Sequence, residues 1–151
     1  MTSFILIMAL MAFANPPELS PAQHTLLRQL SYRDGAPDCK DLSNDNGQLK
    51  DDLLVMVNSV MQPPWVGMRA ANCLITRFPL ESVDTFKSWM QSEQTMGLAY
   101  LLGAQISQLP YQIAIEVGRV GLSGPHVEGV RSRLESQEGR VVEDLLKGES
   151  K

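Results

Sequence analysis

The chain has 151 residues, 44% of them hydrophobic, and a formal net charge of −4. That length supports a single domain with a real core. A pI near 5.1 and the absence of any basic block exclude a nucleic-acid footprint. Arg131, Arg133 and Arg140 alternate with Glu135, Glu138, Glu143 and Asp144, the pattern of a solvated helical face.

Residues 1–14 carry no charged side chain, and Phe4 to Met11 form an unbroken apolar run. The run ends in Ala12-Phe13-Ala14 and is followed by Asn15-Pro16-Pro17. An apolar core, an A-x-A site and helix-breaking prolines predict a secretory signal peptide cleaved after Ala14, although no Lys or Arg precedes the core. The run is too short to cross a bilayer comfortably, so no stable membrane insertion is expected after cleavage. The expected destination is the periplasm or the exterior. There the only two cysteines, Cys39 and Cys73, are candidates for one disulfide that ties the N-terminal region onto a helix downstream. The alternative is that Cys73 is simply a small buried side chain. Arg69 and Arg77 stand one helical turn to either side of Cys73, but no C-x-x-C accompanies them to support a redox centre.

Residues 15–47 read as one helix and a long loop. Ser20 as N-cap, Pro21 at the first helical position and Gln23 three after the cap start a helix to about Leu30. Leu26, Leu27 and Leu30 give it an apolar stripe. Ser31 to Gly47 is rich in Asp, Asn, Gly and Pro and reads as a loop with at most one short helical turn.

From Gln48 to about residue 148 the pattern is helical. Leu49, Leu53, Val57 and Val60, with Leu54 and Met61 beside them, mark one amphipathic face, and Pro63-Pro64 stops it. Trp65 to Phe78 forms the next helix, closed by Pro79. Further helices are expected from Leu80 to about Gln91, Thr95 to Ser107, Tyr111 to Leu122, His126 to Gln137 and Arg140 to Lys147. Val83, Phe86, Trp89 and Met90 read as core in the first of these; Ile113, Ile115, Val117 and Val120 in the third. Trp65 also reads as core. No period-two run flanked by hairpin turns appears, so the expected class is all-α.

Pro64, Val66, Ala70, Ala71 and Leu74 match the Pro-x-Val-Arg-x-x-Ala-Ala-x-Ala-Leu-Gly block of the second helix in HEAT repeats, and the chain resembles that family in this stretch. Gly67 stands in place of the usual Arg, Cys73 in place of the third Ala and Ile75 in place of Gly. Leu98, Ala99, Leu101, Leu102 and Gly103 repeat the block more loosely, and Pro125 to Leu134 keeps only the proline and valine. The resemblance implies a short α-solenoid of antiparallel helix pairs over residues 48–148. A closed helical bundle would bury the same stripes.

Sites of chemistry are sparse. His24 and His126 are far apart, and no H-E-x-x-H or G-x-S-x-G motif is present, so no catalytic residue, metal or cofactor is assigned. Placing Gly47 at the sixth position of an EF-hand loop puts Leu42 and Leu53 where carboxylates are required, so that register fails. A looser calcium site from Asp41, Asp45 and Asn46 is the residual option, against an ordinary Asx-rich turn. Gly103, Gly118 and Gly121 fall within helices and read as close-packing positions.

A repeat stack offers a surface lined by its second helices. With Ala70, Ala71, Cys73 and Leu74 facing inward, Arg69, Asn72 and Thr76 face outward, joined by Tyr100 and Gln105 in the next unit. This stripe is the expected contact for an unidentified protein or peptide partner. The expected function is a non-catalytic interaction or scaffold module. The alternative is a small periplasmic ligand-binding protein or enzyme with a pocket between helices.

Overall fold

The computed structural model describes residues 18–42, 47–60 and 62–148. The expected signal peptide, Asp45 and Asn46 of the acidic loop, and Met61 lie outside the described residues. Within them the chain is all-α, with eight α-helices and no strand.

Helix α1 (Pro21–Ser31) begins as its sequence predicts. The Gln23 backbone N–H donates to Ser20 Oγ at 3.2 Å, and the Ser20 N–H donates to Gln23 Oε1 at 2.9 Å. This reciprocal pair satisfies two amides that a helix start leaves open. Gln23 Nε2 then donates to Asp52 Oδ1 at 2.9 Å, which fastens the cap to the next helix. Asp52 is a carboxylate only 3% exposed, and burial of that kind needs such a donor.

Helix α2 (Leu49–Ser59) buries Leu49, Asp52, Leu53 and Met56. The expected stripe is therefore rotated: Val57 and Val60 are half-buried, and Met56 takes the core position. Strict four-residue steps drift about 40° each on a helix of 3.6 residues per turn, so the buried face alternates steps of three and four. Helix α3 (Trp65–Arg77) buries Val66, Ala70, Ala71, Cys73, Leu74 and Ile75. Phe78 caps it by donating its N–H to the Leu74 carbonyl at 3.0 Å.

Helix α4 (Val83–Gln91) starts later than the expected Leu80, because residues 79–82 form a turn that leaves Leu80 exposed. It buries Phe86, Trp89 and Met90. Helix α5 (Met96–Gln105) has a single 3-10 turn at each end, and α6 (Tyr111–Leu122) follows Pro110 directly. Helices α7 (Val127–Glu135) and α8 (Arg140–Gly148) complete the chain. In α6 the buried positions are Ile113, Ala114 and Val117 with Gly118 and Gly121, while Ile115 and Val120 are only half-buried.

Most consecutive helices pack on one another, α3 and α4 excepted, and most alternate ones do so too, α2 and α4 excepted. Helix α5 lies between α3 and α7, while α6 lies between α4 and α8. Small residues permit the close approaches. A Cβ added at Gly118 would stand 2.5 Å from Leu145 Cδ1, and one at Gly121 would stand 2.8 Å from Met90 Sδ. The side chains form one continuous apolar core from Leu26 to Leu145.

A four-residue stripe and the groove beside it

Trp65, Arg69, Cys73 and Arg77 follow one another at four-residue steps along α3. All four reach the same piece of chain, residues 30–42, called the strap below. Trp65 Nε1 donates to the Ser31 carbonyl at 3.3 Å. Arg69 donates to the carbonyls of Leu30 at 2.9 Å and Arg33 at 3.2 Å, and also to that of Tyr32. Cys73 and Cys39 are joined as a disulfide with their Cα atoms 5.1 Å apart. Arg77 donates to the carbonyls of Cys39 at 2.9 Å and Leu42 at 2.8 Å.

The chemistry of this arrangement is direct. The last carbonyls of α1 have no partner within their own helix, and a guanidinium meets both that need and the negative helix end. The strap has little regular structure of its own, one 3-10 turn at Cys39–Asp41, so its carbonyls too require outside donors. A four-residue row drifts around the helix, and the strap crosses α3 obliquely along it.

Between the strap, α3 and α5 lies a half-open groove of about 370 Å³. Leu30, Ala36, Pro37, Trp65, Met68, Leu101 and the disulfide give it apolar walls, while Asp38, Arg69 and Asn72 supply the polar groups. Trp65 is 37% exposed and Met68 39%. The expectation that Trp65 belongs to the core is thus corrected: it is the first residue of α3, its indole N–H turned to the strap and its ring to the groove. Met68 also borders a second depression of about 290 Å³ with Val57, Val60, Pro64, Gly67 and Leu98.

Of the residues expected on the partner stripe, Arg69 and Asn72 line this groove. Arg69 spends its guanidinium on strap carbonyls rather than on open solvent. Asn72 Nδ2 donates to Cys39 Sγ at 3.8 Å, and its Oδ1 accepts from Gln105 Nε2 at 2.7 Å. Gln105 Oε1 is buried and meets no donor among the described residues. Thr76 is exposed, and its hydroxyl donates back to the Asn72 carbonyl at 3.0 Å.

Tyr100 is separated from this group. Its ring fills the space beside Gly129, where an added Cβ would stand 2.1 Å from it, and the Arg133 guanidinium stacks 3.9 Å from its centre. The His126 ring meets it edge-on at 6.1 Å. Tyr100 therefore belongs to the α5–α7 seam. Sequence reading missed Trp65, Met68 and Leu101 as groove residues. The four-residue Trp-Arg-Cys-Arg period is the signal that finds Trp65, whereas nothing local marks Met68 or Leu101.

Two ionisable groups with displaced pKa values lie elsewhere. A hydrogen bond to Glu116 holds Lys87 above the usual lysine range, linking α4 to α6. A hydrogen bond of 2.7 Å to Asp144 likewise raises the Tyr111 phenol, linking α6 to α8. His126 Nε2 lies 2.9 Å from the Ser92 carbonyl and joins the start of α7 to the end of α4. Among the described residues no three His, Cys, Asp or Glu side chains are grouped to hold a metal ion, and no helix is long and apolar enough to cross a membrane. Comparison of the chain with family models, with curated proteins and with solved structures gives no match.

Proposed function

We propose that the chain is a non-catalytic interaction module of a secreted or periplasmic compartment, built as a short HEAT-like stack, and that the groove under the strap receives a peptide segment of a protein partner. The observation that carries this reading is the half-open apolar groove with Trp65 and Met68 exposed at its mouth. Exposed aromatic and methionine side chains at a concave site are typical anchors for a partner's apolar side chain. Packing between alternate helices supports the stack, since repeat units contact their neighbours in this way. The disulfide supports an oxidising compartment.

A small-molecule pocket is the second reading, favoured by a volume within the range of about 300–1,000 Å³ found for ligand sites. Few polar groups converge there with free hydrogen-bonding capacity, which favours the peptide.

Selection of peptides displayed on phage against the oxidised chain tests the proposal. Peptides with an aromatic or aliphatic anchor are expected, and Trp65→Ala and Met68→Asp should each weaken their binding by about tenfold or more. Selected peptides that bind both variants as well as the parent would overturn it.

A further inference from the structure

We propose that the Cys39–Cys73 bridge is a thiol–disulfide exchange site reached through the groove, and that opening it releases the strap and dismantles the groove wall. The chemistry stands independently of any partner; its use as a control on binding rests on the interaction reading above.

Both cysteines line the groove, so the bond faces an open cavity rather than the sealed core. They are not equally accessible: Cys73 is 3% exposed, whereas Cys39 on the strap is only half-buried. Cys39 Sγ is therefore the sulfur that an incoming thiolate meets. Attack there forms a mixed disulfide at Cys39, breaks the S–S bond and expels Cys73 as the thiolate. Arg69 and Arg77 stand one turn to either side of that leaving group, and neighbouring cations favour a thiolate. The second thiol of a dithiol reductant then attacks the mixed disulfide and frees Cys39. The dithiol ends as its own disulfide and Cys39 and Cys73 as two thiols, so two electrons and two protons pass to the protein.

The consequence follows from what else holds the strap. Between Tyr32 and Asp38 it has no helix, and its backbone is fixed by side chains of α3. The bridge sits between the Arg69 and Arg77 anchors and is the one covalent tie. Its loss leaves hydrogen bonds to partly exposed groups, which a mobile segment of chain breaks readily. The helices themselves keep their core when the strap departs, because Leu30 belongs to the last turn of α1 and the rest of the strap adds to that core only Leu42 at its end and Cys39 against it.

The test uses the full oxidised chain treated with dithiothreitol under native conditions. Thiols are trapped with iodoacetamide, tryptic cleavage at Arg33 and Lys40 is followed by mass spectrometry, and helix content by far-UV circular dichroism. The expected result is reduction without denaturant, cleavage at both sites faster by about tenfold or more, and an unchanged helical signal. The Cys39→Ser/Cys73→Ser variant should show the same rapid cleavage in a folded body. A bridge that yields only in denaturant, unchanged cleavage after reduction, or loss of the whole helical signal would each overturn the proposal. No peptide is present, so failure here is distinct from failure of the groove to bind one.

Discussion

Arg69 and Arg77 stand eight residues apart on α3, and each donates its guanidinium hydrogens to backbone carbonyls of the same strap. Cys73 lies midway between them and binds the strap covalently through Cys39. A face that a surface helix would turn to water is in this way committed to another part of the chain. The consequence for function is a groove whose walls are a helix on one side and a strap on the other.

Arg77→Gln removes two hydrogen bonds from a charged donor to the carbonyls of Cys39 and Leu42. Such bonds contribute about 1–3 kcal/mol in total at a partly exposed site, and the variant should lose that much in urea denaturation. Arg77→Lys should recover part of it, since both bonds come from the one nitrogen Nη1 and an ammonium also carries several donors on a single nitrogen.

Gly124 and Gly97 should respond in opposite directions to alanine. A Cβ at Gly124 would stand 2.5 Å from the Met90 backbone oxygen and 3.2 Å from that of Val120. Backbone cannot swing aside as a side chain does, so Gly124→Ala should cost about 1–3 kcal/mol. Gly97 lies in α5 with nothing within 4 Å of an added Cβ, and Gly97→Ala should stabilise by up to about 1 kcal/mol. Thermal melts of the two variants beside the parent would check both signs.

Tyr111 gives an alkaline dependence. Its folded pKa is raised, first by the hydrogen bond to Asp144 and next by burial. A raised folded pKa means that the contribution is fully present below the unfolded value of 10.0 and is lost as pH rises through the folded value. The parent should therefore lose more stability above pH 10 than Tyr111→Phe does, and the two denaturation curves should run parallel at neutral pH. Equal alkaline losses would contradict the assignment.

Much of the fold was legible in the sequence where local rules act alone. Ser20, Pro21 and Gln23 specify the start of α1 through capping, and Pro110 sets the start of α6 at Tyr111. The Cys39–Cys73 bridge was one of two readings of an even cysteine count, and the structure holds it. Tertiary contacts decided the rest. Met56 displaced Val57 from the core because the buried face of α2 is set by its neighbours. Tyr100, one residue before Leu101, faces α7 instead of the groove, since successive helical positions are about 100° apart. Arg69 looked like an outward residue because nothing local says that a distant loop will cross above it. Only the repetition of Trp65, Arg69, Cys73 and Arg77 carries that information, and it reads as ordinary amphipathicity until the strap is seen.

The stripe of α3 holds the strap and so shapes the groove. The most direct measurement is the rate of tryptic cleavage after Arg33 in the oxidised Arg69→Gln variant, with cleavage after Lys40 as the internal reference. The Arg33 rate should rise by about tenfold or more, because its nearest anchor is gone, while the Lys40 rate changes little because Cys73 and Arg77 still hold that end. An Arg33 rate equal to that of the parent would show that the strap stands without Arg69 and that the stripe does not hold it.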